Sequence, residues 1–485
     1  MTQEKREEKK FVKEIESMEE NYSRWYLDIV RKAELMDYGP VKGTIIFKPY
    51  GYALWENIQK DLDRRFKETG HENVYFPLLI PESYLQKEMN HVEGFAPEVA
   101  WVTHAGNEEL EERLVIRPTS ETVIGAAMSD WIQSYRDLPM KLNQWANVMR
   151  WERSTKPFLR TSEFLWQEGH TAHATYEEAE EETLLMLNVY KEFAEEFLAM
   201  PVITGRKTEN EKFAGAVHTY SIEALMSDGK ALQAGTAHNL RQNFSTVFDI
   251  QFSDQNNQLQ YVYQTSWGVS TRTIGGLIMT HGDDRGLALP PSIAPIQVVI
   301  VPILRGDAAP VLDKVAEIEQ ALKKLGIRVK SDLRDGMSPG WKFNEYELRG
   351  VPIRIELGPK DLEKEQFVLA RRDTGEKEFL PIAEIATIIP ATLVEIQENM
   401  LNKARRFMEE HTFTADTIEE LKGKLLADRG FYKSWWCGEI SCLDEVKAET
   451  GATARVIPFE QREGKGKCIC CGKESATTVI LARAY

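Results

Sequence analysis

The sequence lacks an apolar run long enough to cross a bilayer. Its longest run, Val298 to Leu304, contains Pro302, whereas a membrane helix needs about 20 apolar residues. The N-terminal stretch MTQEKREEKKFVKEIESMEE mixes both charge signs, unlike a secretion signal or an organellar presequence. These absences predict a cytoplasmic protein with no membrane partner, whose first residues form a frayed or helical arm in solvent.

Cysteine is also scarce, and the chain carries no net positive charge. Only five cysteines occur in 485 residues, all between Cys437 and Cys471, which excludes a disulfide framework spread along the chain. The formal net charge of −16 argues against nonspecific coating of polyanions, because phosphate binding needs local positive potential. A nucleic-acid partner would have to be held by discrete basic patches.

Glycine-rich phosphate loops are the third absence. The chain contains neither G-x-x-x-x-G-K-[ST] nor G-x-G-x-x-G after a strand. Any nucleotide would therefore be bound by side chains on a sheet.

The apolar pattern of residues 1–290 predicts an antiparallel sheet with added helices. Leu54, Ile58, Leu62 and Phe66 mark one helix that ends at Gly70, and a second lies between Glu177 and Met200. The segments that we expect to form strands are VYFPLLIP, STVFDIQF, LQYVYQTSW and TRTIGGLIMTHG. A chain of this length is expected to hold two to four such domains.

After the proline-rich connector LALPPSIAP the pattern changes. QVVIVPIL, a helix at about 308–325, GIRVKSD, VPIRIELG and FVLARR alternate, which predicts an α/β domain with a partly parallel sheet over residues 296–395. A helix near 393–410 then leads into a third region, 400–485, which contains the cysteines.

Cations concentrate in the stretch NVMRWERSTKPFLRTSEFLWQEGHTAH, residues 147–173. Arg150 and Glu152 are two apart and would share one face of a strand. An arginine can clamp a phosphate and a carboxylate can accept from an exocyclic amine, and Arg160 beyond the Pro157 loop can reach the same ligand. The alternative is a solvated hairpin with cross-strand ion pairs.

Seven segments together carry a family resemblance. GHENVYFPLLIP, VMRWE with FLRTSEFLWQE, and GGLIMTHGDDRG resemble motifs 1, 2 and 3 of the class II aminoacyl-tRNA synthetases, in that order. RPTSET, FLWQEGHTAH, QAGTAHNLRQNF and SWGVSTRTIGG resemble the prolyl-tRNA synthetases in particular. Too few residues separate Glu168 from Arg285 for a long editing insertion, as in the eukaryote-like and archaeal-like type.

The resemblance implies a fold class and an activity. The fold would be multi-domain α/β: a class II antiparallel catalytic domain, an α/β anticodon-binding domain and a C-terminal α/β zinc-binding domain. The activity would be ATP-dependent activation of L-proline, with Mg²⁺ on the triphosphate, and transfer to tRNA(Pro). Motif 1 implies a homodimer, and the C-terminal Tyr485 would fold back towards the catalytic domain.

Site residues follow from the resemblance as well. Activation needs positioned cations and no general base, because a carboxylate is already ionised at pH 7. The catalytic residues would be Arg150 and Arg285. ATP would be bound by Arg150, Glu152, Arg160, Thr161, Gln233, Thr236, Ser270, Arg272 and Arg285.

Proline would be bound by Thr119, Glu121, Arg150 and His238, with Phe164, Trp166 and Trp267 as apolar walls. By position alone, His238 can equally be a hydrogen-bonded structural histidine and the tryptophans plain core. The anticodon would be read by Glu347, Arg354, Lys360 and Asp361. The alternative for that charge mixture is an ordinary solvated face.

The cysteine spacing suits tetrahedral Zn²⁺. Cys437 and Cys442 form C-x4-C, and Cys468, Cys470 and Cys471 follow in KCICCGK. The predicted ligands are Cys437, Cys442, Cys468 and Cys471, with Cys470 as the candidate to replace Cys471. The alternative is a set of unrelated buried or reactive thiols.

Two rival functions are open to the same fold. One is another class II synthetase, such as the threonyl enzyme, which QAGTAHNLRQNF and the cysteine pattern disfavour. The other is a non-catalytic RNA-binding relative, which the presence of Arg150, Glu152 and Arg285 disfavours.

Overall fold

The computed structural model describes residues 15–91 and 98–485, without the side chains of 88–91. The predicted N-terminal arm lies largely outside these residues, since it includes positions 1–14. Among the helices of the described ranges, none has the length and apolar character that a membrane span requires.

Helices and single turns account for much of the described chain. The α-helices are α1 (Met18–Lys32), α2 (Pro49–Glu68), α3 (Glu82–His91), α4 (Glu121–Trp131), α5 (Tyr176–Glu192), α6 (Asn243–Phe248), α7 (Arg272–His281), α8 (Ala309–Lys324), α9 (Pro339–Leu348), α10 (Pro359–Glu363), α11 (Ile385–Glu410), α12 (Ile418–Ala427) and α13 (Ile440–Thr450). A π-turn at Phe193–Phe197 extends α5, and 3₁₀ turns lie at Tyr135–Asp137 and Ile382–Glu384.

The strands are β1 (Met36–Tyr38), β2 (Ile45–Phe47), β3 (Glu72–Asn73), β4 (Leu79–Pro81), β5 (Ala100–Ala105), β6 (Glu108–Ile116), β7 (Met140–Met149), β8 (Glu163–His173), β9 (Val202–Arg206), β10 (His218–Leu225), β11 (Ala231–Arg241), β12 (Gln251–Ser253), β13 (Leu259–Tyr261), β14 (Tyr263–Ser270), β15 (Val298–Pro302), β16 (Val329–Ser331), β17 (Ile353–Leu357), β18 (Gln366–Arg371), β19 (Lys377–Pro381), β20 (Thr412–Phe413), β21 (Phe431–Trp435), β22 (Thr453–Pro458), β23 (Gly466–Lys467), β24 (Glu474–Ser475) and β25 (Thr478–Ala482).

One large sheet of 11 strands combines strands from the first region with strands from the C-terminal region. Its order is β20-β21-β25-β22-β9-β10-β11-β14-β8-β7-β3, and every pairing is antiparallel except those of the two edge strands. The C-terminal strand β22 joins the sheet by pairing Ile457 with Arg206 of β9. The predicted antiparallel sheet is therefore present, and the C-terminal region extends it.

A buried ion cluster fixes that junction. Arg455 of β22 donates from Nε to Oε2 of Glu223 at 3.0 Å, and Lys207 donates from Nζ to Oε1 at 2.7 Å. Burial alone would raise the pKa of Glu223, but the two cations outweigh it and lower the pKa. Both buried cations thus share the Glu223 carboxylate as their counter-charge, and such pairing is the condition for placing ions inside a protein.

A second, five-stranded sheet belongs to the middle region. Its order is β16-β15-β17-β18-β19, with β15 parallel to both neighbours and the remaining pairs antiparallel. Helices α8 and α11 contribute Val315 and Ile389 to the hydrophobic core beside this sheet. The predicted partly parallel α/β domain is confirmed, and separate hydrophobic clusters form the cores of the first and C-terminal regions.

Three strand predictions are wrong. TRTIGGLIMTHG forms helix α7, where a Cβ on Gly275 would lie 2.5 Å from Leu159 Cδ2, so close packing explains the glycine. STVFDIQF divides into α6 and β12 at Asp249, which adopts a left-handed φ of 53°. In VYFPLLIP only β4 is a strand, and Pro77, which has no N–H to donate to a ladder, lies before it.

Candidate active site

A cavity of about 510 Å³ opens on one face of the large sheet, and we call it the sheet cavity. Side chains two residues apart on a strand share a face. Phe164, Trp166, Glu168 and His170 of β8 accordingly line it together. The other residues named in the sequence analysis that line it are Thr119, Glu121, Arg150, Gln233, Thr236, His238, Trp267, Ser270 and Arg272.

Contacts within the protein hold the Arg150 side chain in place. Its Nε donates to the carbonyl of Pro118 at 3.0 Å, and its guanidinium carbon lies 5.5 Å from the ring centres of both Phe164 and Trp166. The two aromatic rings therefore support the cation. Arg150 follows the end of β7 at Met149 and so lies in the connecting loop, where the sequence had predicted a strand.

Arg272 supplies a second cation from the first turn of α7. Its Nε donates to the carbonyl of Leu159 at 3.0 Å. Burial lowers the pKa of Arg272, and the positive charges of Arg150 and Arg160 lower it further. Because arginine stays charged in proteins, these mutually repelling cations make the cavity favourable for a polyanion.

Carboxylates lie near Arg150 in and around the cavity. Burial lowers the pKa of Arg150, while Glu121, Glu168 and Glu152 act in the opposite direction. Glu121 begins α4 and accepts a short hydrogen bond from the Thr119 hydroxyl. The part of the cavity beside Glu121 is therefore suited to an ammonium group, and the cations are suited to phosphate.

Glu168 is the centre of a buried polar network at the base of the cavity. Its Oε1 accepts from Ser120 Oγ at 2.6 Å and from Gln144 Nε2 at 2.7 Å, and Oε2 lies 3.1 Å from His170 Nε2. Burial would raise the pKa of Glu168, but these partners lower it. The ionised carboxylate braces β7, β8 and the segment before α4 against each other.

His238 of β11 is neutral at pH 7. Burial lowers its pKa to about 3, with a further contribution from the charges of His170 and Lys207. Its Nδ1 lies 2.9 Å from Thr219 Oγ1, and its ring centre lies 4.8 Å from that of Phe213. Within residues 15–91 and 98–485, Nε2 makes no hydrogen bond, which leaves it for a ligand.

Three predicted ATP ligands in the loop between β7 and β8, Glu152, Arg160 and Thr161, lie outside the lining of the cavity. Arg160 Nε is 3.5 Å from Glu152 Oε2, and both belong to the loop between β7 and β8. Thr161 is buried and donates to the carbonyl of Glu163 at 2.7 Å. The charge of Glu152 still acts on Arg150, and that of Arg160 on Arg272, so this loop forms the rim.

The structure corrects the prediction for Arg285. Helix α7 begins with Arg272 and ends at His281, and a helix of this length rises about 15 Å. Arg285 follows that far end and pairs with Glu347 at 3.1 Å and Asp283 at 3.4 Å. It lies in a second cavity, so the structure does not bring it to the sheet cavity.

Several lining residues were absent from the sequence prediction. Glu211, Lys212 and Phe213 come from the loop between β9 and β10. No local motif marks them, because only the antiparallel pairing of the two strands brings the loop over the cavity. Trp166 Nε1 and Ser266 Oγ are buried and without a hydrogen-bond partner in the described part of the chain, so they are open to a polar ligand.

The predicted anticodon residues fall into two pairs. Glu347 and Arg354 both line the second cavity, of about 200 Å³. Arg354 contacts Glu356 at 2.9 Å and stacks 4.3 Å from the ring centre of Phe343. Lys360 and Asp361 lie beyond the other end of β17 in α10, where Asp361 accepts from the N–H of Gly358 at 2.9 Å.

The four predicted cysteines form one group. The sulfurs of Cys437, Cys442, Cys468 and Cys471 all lie within 4.8 Å of one another. Two of the sulfur–sulfur distances are 3.7 Å (Cys437 to Cys442) and 3.6 Å (Cys471 to Cys437). Tetrahedral Zn–S bonds place sulfurs about 3.8 Å apart, so this group could hold such a metal ion.

Cys470 does not belong to this group of four sulfurs. Its thiol lies 3.1 Å from Glu445 Oε2. Gly472, with a φ of +73°, turns the chain so that Cys468 and Cys471 face the same point. The geometry therefore favours Cys471 over Cys470 as a ligand.

Tyr485 folds back against the first region of the chain, as the resemblance implied. Its hydroxyl donates to Asp228 Oδ2 at 2.7 Å, and its N–H donates to the carbonyl of Ala231. Lys156 of the rim loop lies 4.9 Å from the ring centres of both Tyr485 and Tyr26. The C-terminus therefore packs against the loop that carries Arg150.

Comparison with known proteins gives consistent matches over the described fold. Residues 101–281 match the class II core domain of tRNA synthetases (G, H, P, S and T), residues 297–392 an anticodon binding domain, and residues 418–485 the C-terminal domain of prolyl-tRNA synthetase. These three matches together cover most of the chain.

Full-length relatives are similar as well. A proline–tRNA ligase of Alkaliphilus oremlandii is 59% identical over 99% of this chain and 100% of its own length, and one of Clostridium novyi is 60% identical over 98% and 99%. A crystal structure of prolyl-tRNA synthetase from Cryptosporidium parvum, complexed with halofuginone and AMPPNP, superposes with a TM-score of 0.93 at 42% identity. It covers 97% of this chain and 99% of that one.

Proposed function

The chain belongs to the family of class II prolyl-tRNA synthetases, and on that premise we propose that the sheet cavity binds MgATP and L-proline side by side. The protein is a proline–tRNA ligase of the short type without an editing insertion, which activates proline with ATP and transfers it to tRNA(Pro). The predicted family, fold class and activity are confirmed. The roles of individual residues are proposals.

Arg150 and Arg272 bind the reacting phosphates in this proposal. A carboxylate oxygen of proline attacks the α-phosphorus of ATP, the bond from that phosphorus to the bridging oxygen breaks, and pyrophosphate leaves. Negative charge develops on the α-phosphate oxygens, and fixed cations stabilise it without reorganising. The main support for this proposal is a pair of partly buried guanidinium groups that line the cavity. Each of them is held by a backbone carbonyl.

The remaining ATP ligands follow the same wall. Gln233 and Thr236 of β11 and Ser270 of β14 line the cavity beside Arg272. We place the adenine at the rim, where Glu152 can accept from its amine. Arg160 and Thr161 would act from the rim loop, with Arg160 released from its ion pair with Glu152 to meet the nucleotide.

Proline occupies the acidic end of the cavity in this proposal. Its secondary ammonium faces Glu121 and Thr119, and its carboxylate faces Arg150. A neutral His238 suits this pocket, because a second cation there would repel the ammonium. Phe213 provides apolar surface for the ring, whereas Phe164 and Trp166 chiefly support Arg150. The predicted wall at Trp267 is wrong, because its ring packs against Phe66 and Tyr190 on the opposite face of the sheet.

Replacing Glu121 by glutamine tests this pocket. Loss of one charge-assisted hydrogen bond is expected to raise the KM for proline about tenfold or more. The KM for ATP in the same pyrophosphate-exchange assay serves as the internal control and should not change. A variant in which only the KM for ATP rises would place proline elsewhere.

After activation, the terminal ribose hydroxyl of tRNA(Pro) attacks the carbonyl carbon of prolyl-adenylate, and AMP leaves. We propose that the middle domain reads the anticodon through Glu347, Arg354, Lys360 and Asp361. Acidic side chains can accept from the Watson–Crick edge of guanine, and basic ones can donate to its O6. The two pairs lie at opposite ends of β17, which suits contacts with two bases.

We propose Zn²⁺ as the metal that the four-cysteine group holds. Four thiolates close the coordination sphere and leave no position for a substrate, so the ion would be structural. It would join the turn after β21 and the start of α13 to the turn after β23, next to the buried side chains of Leu443 and Ile469.

We also propose that two chains associate through the motif 1 region. Tyr38 and Ile46 on the β1–β2 hairpin and Tyr75 and Leu79 after α2 are exposed, Tyr75 by 71%. Clustered exposed apolar side chains are typical of protein interfaces. Sedimentation velocity should give twice the chain mass, and a monomer at micromolar concentration would contradict this interface.

A further inference from the structure

Arg285 lies in the second cavity, the junction cavity, where the first region meets the five-stranded sheet. Its lining includes Arg285, Glu347, Arg354, Arg371, Arg372 and Lys377. A residue of motif 3 thus shares a cavity with two of the residues proposed to read the anticodon.

The backbone around Arg285 is fixed from both sides. Asp283 and Gly286 exchange two backbone hydrogen bonds of 3.0 Å, which close a tight turn with Arg285 inside it. Gly286 needs its positive φ of 128°, and a Cβ there would lie 2.6 Å from the Leu348 backbone. The N–H of Leu287 then donates to the carbonyl of Leu348, next to Glu347, at 3.0 Å.

A bidentate ion pair locks the same turn to the middle domain. Arg372 donates from Nη1 and Nη2 to the two carboxylate oxygens of Asp283 at 2.9 and 2.6 Å. The Arg285 side chain therefore starts from a backbone that is bound to the domain carrying Glu347.

The Arg285 guanidinium contacts Glu347 through one nitrogen. Nη1 donates to Oε1 at 3.1 Å, and Nη2 lies 3.4 Å from Asp283 Oδ2. Gly375 makes room for this contact, because a Cβ at that position would lie 3.0 Å from Nη1. In the described part of the chain, Oε2 of Glu347 makes no hydrogen bond, so it is open to a base.

The other cations of the junction cavity have different partners. Arg371 pairs with Asp373 and Glu395, Arg372 with Asp283, and Arg354 and Lys377 with Glu356. Within residues 15–91 and 98–485, Arg285 is thus the cation that pairs with Glu347. Without it, the carboxylate would be free to turn towards the neighbouring cations.

We infer that Arg285 is a positioning residue for anticodon recognition: it orients the Glu347 carboxylate towards a guanine in the junction cavity and takes no part in ATP binding. The inference rests on the proposed function in one respect, namely that Glu347 accepts hydrogen bonds from an anticodon base. Arginine suits this role better than lysine, because its planar fork can hold Asp283 and Glu347 at once.

Steady-state aminoacylation separates this role from one in ATP binding. The Arg285→Ala enzyme is expected to raise the KM for tRNA(Pro) about fivefold, the scale of a partly exposed ion pair, with kcat unchanged. Proline-dependent pyrophosphate exchange, which needs no tRNA, should keep its wild-type rate. Arg285→Lys should recover part of the KM, and Lys323→Ala, an exposed cation of the same domain, should change neither value.

A double-mutant cycle with Glu347→Gln decides whether Arg285 acts through Glu347. If it does, the Arg285→Ala effect on KM disappears in the Glu347→Gln background. An undiminished effect there, a fall in pyrophosphate exchange, or an unchanged KM in Arg285→Ala would overturn the inference. If Glu347→Gln alone leaves the KM unchanged, the proposed anticodon role of Glu347 fails first, and the inference fails with it.

Discussion

Replacing Arg150 by alanine is expected to lower the rate of proline-dependent pyrophosphate exchange about 10²- to 10³-fold, the usual cost of removing one preorganised charge from a transition state. The side chain is held by the carbonyl of Pro118 and by two aromatic rings. In the proposed arrangement, its loss removes a fixed cation from the α-phosphate and one contact to the proline carboxylate.

Arg153 provides the matched control in the same loop. Its side chain is 90% exposed and lies 3.3 Å from Glu98, so Arg153→Ala should leave the exchange rate within about twofold, as for surface ion pairs. If the two variants lost the same activity, the local charge of the loop would matter and the placement of Arg150 would not.

Replacing Cys468 by serine is expected to remove the metal from the C-terminal domain and to lower the melting temperature of the chain. Binding of a structural zinc contributes on the order of 10 kcal/mol in small zinc domains, and Cys468 is one of the most buried members of the group. Metal analysis after dialysis should fall from about one zinc per chain to near none. Chelation of the wild-type metal should reproduce the melting behaviour of the variant.

Cys470→Ser is the control for the proposed zinc site. Its sulfur lies next to Glu445 and outside the four-cysteine group, so this variant should keep its metal and its stability. A chain that keeps the metal without Cys468 and loses it without Cys470 would require a different ligand set.

The sequence was most informative where spacing and chemistry agree. The four apolar positions from Leu54 to Phe66 marked α2, because burial on one side imposes a helical period. The cysteine spacing marked the four-sulfur group, because a knuckle turn brings residues three apart to one point. Both patterns depend on residues close together in the sequence, so the helix and the cysteine turn can be predicted from the sequence alone.

The sequence was least informative where tertiary contacts override local preference. In α7 the β-branched residues and paired glycines indicated a strand, but the glycines serve close helix packing against Leu159 and Leu232. The helical form also determines where Arg285 lies, because helix α7 places Arg285 beyond the end opposite to Arg272. The sequence did not predict Phe213 as a lining residue, because only the pairing of β9 with β10 brings its loop over the cavity.

Amino-acid-dependent pyrophosphate exchange on the wild-type, Arg150→Ala and Arg285→Ala chains, run side by side without tRNA, is the decisive test of the proposed active site. We expect proline to support exchange at equal rates in the wild-type and Arg285→Ala chains, and we expect Arg150→Ala to lose it. Loss of exchange in Arg285→Ala with retention in Arg150→Ala, or a wild-type chain that responds to another amino acid and not to proline, would contradict the proposed active site.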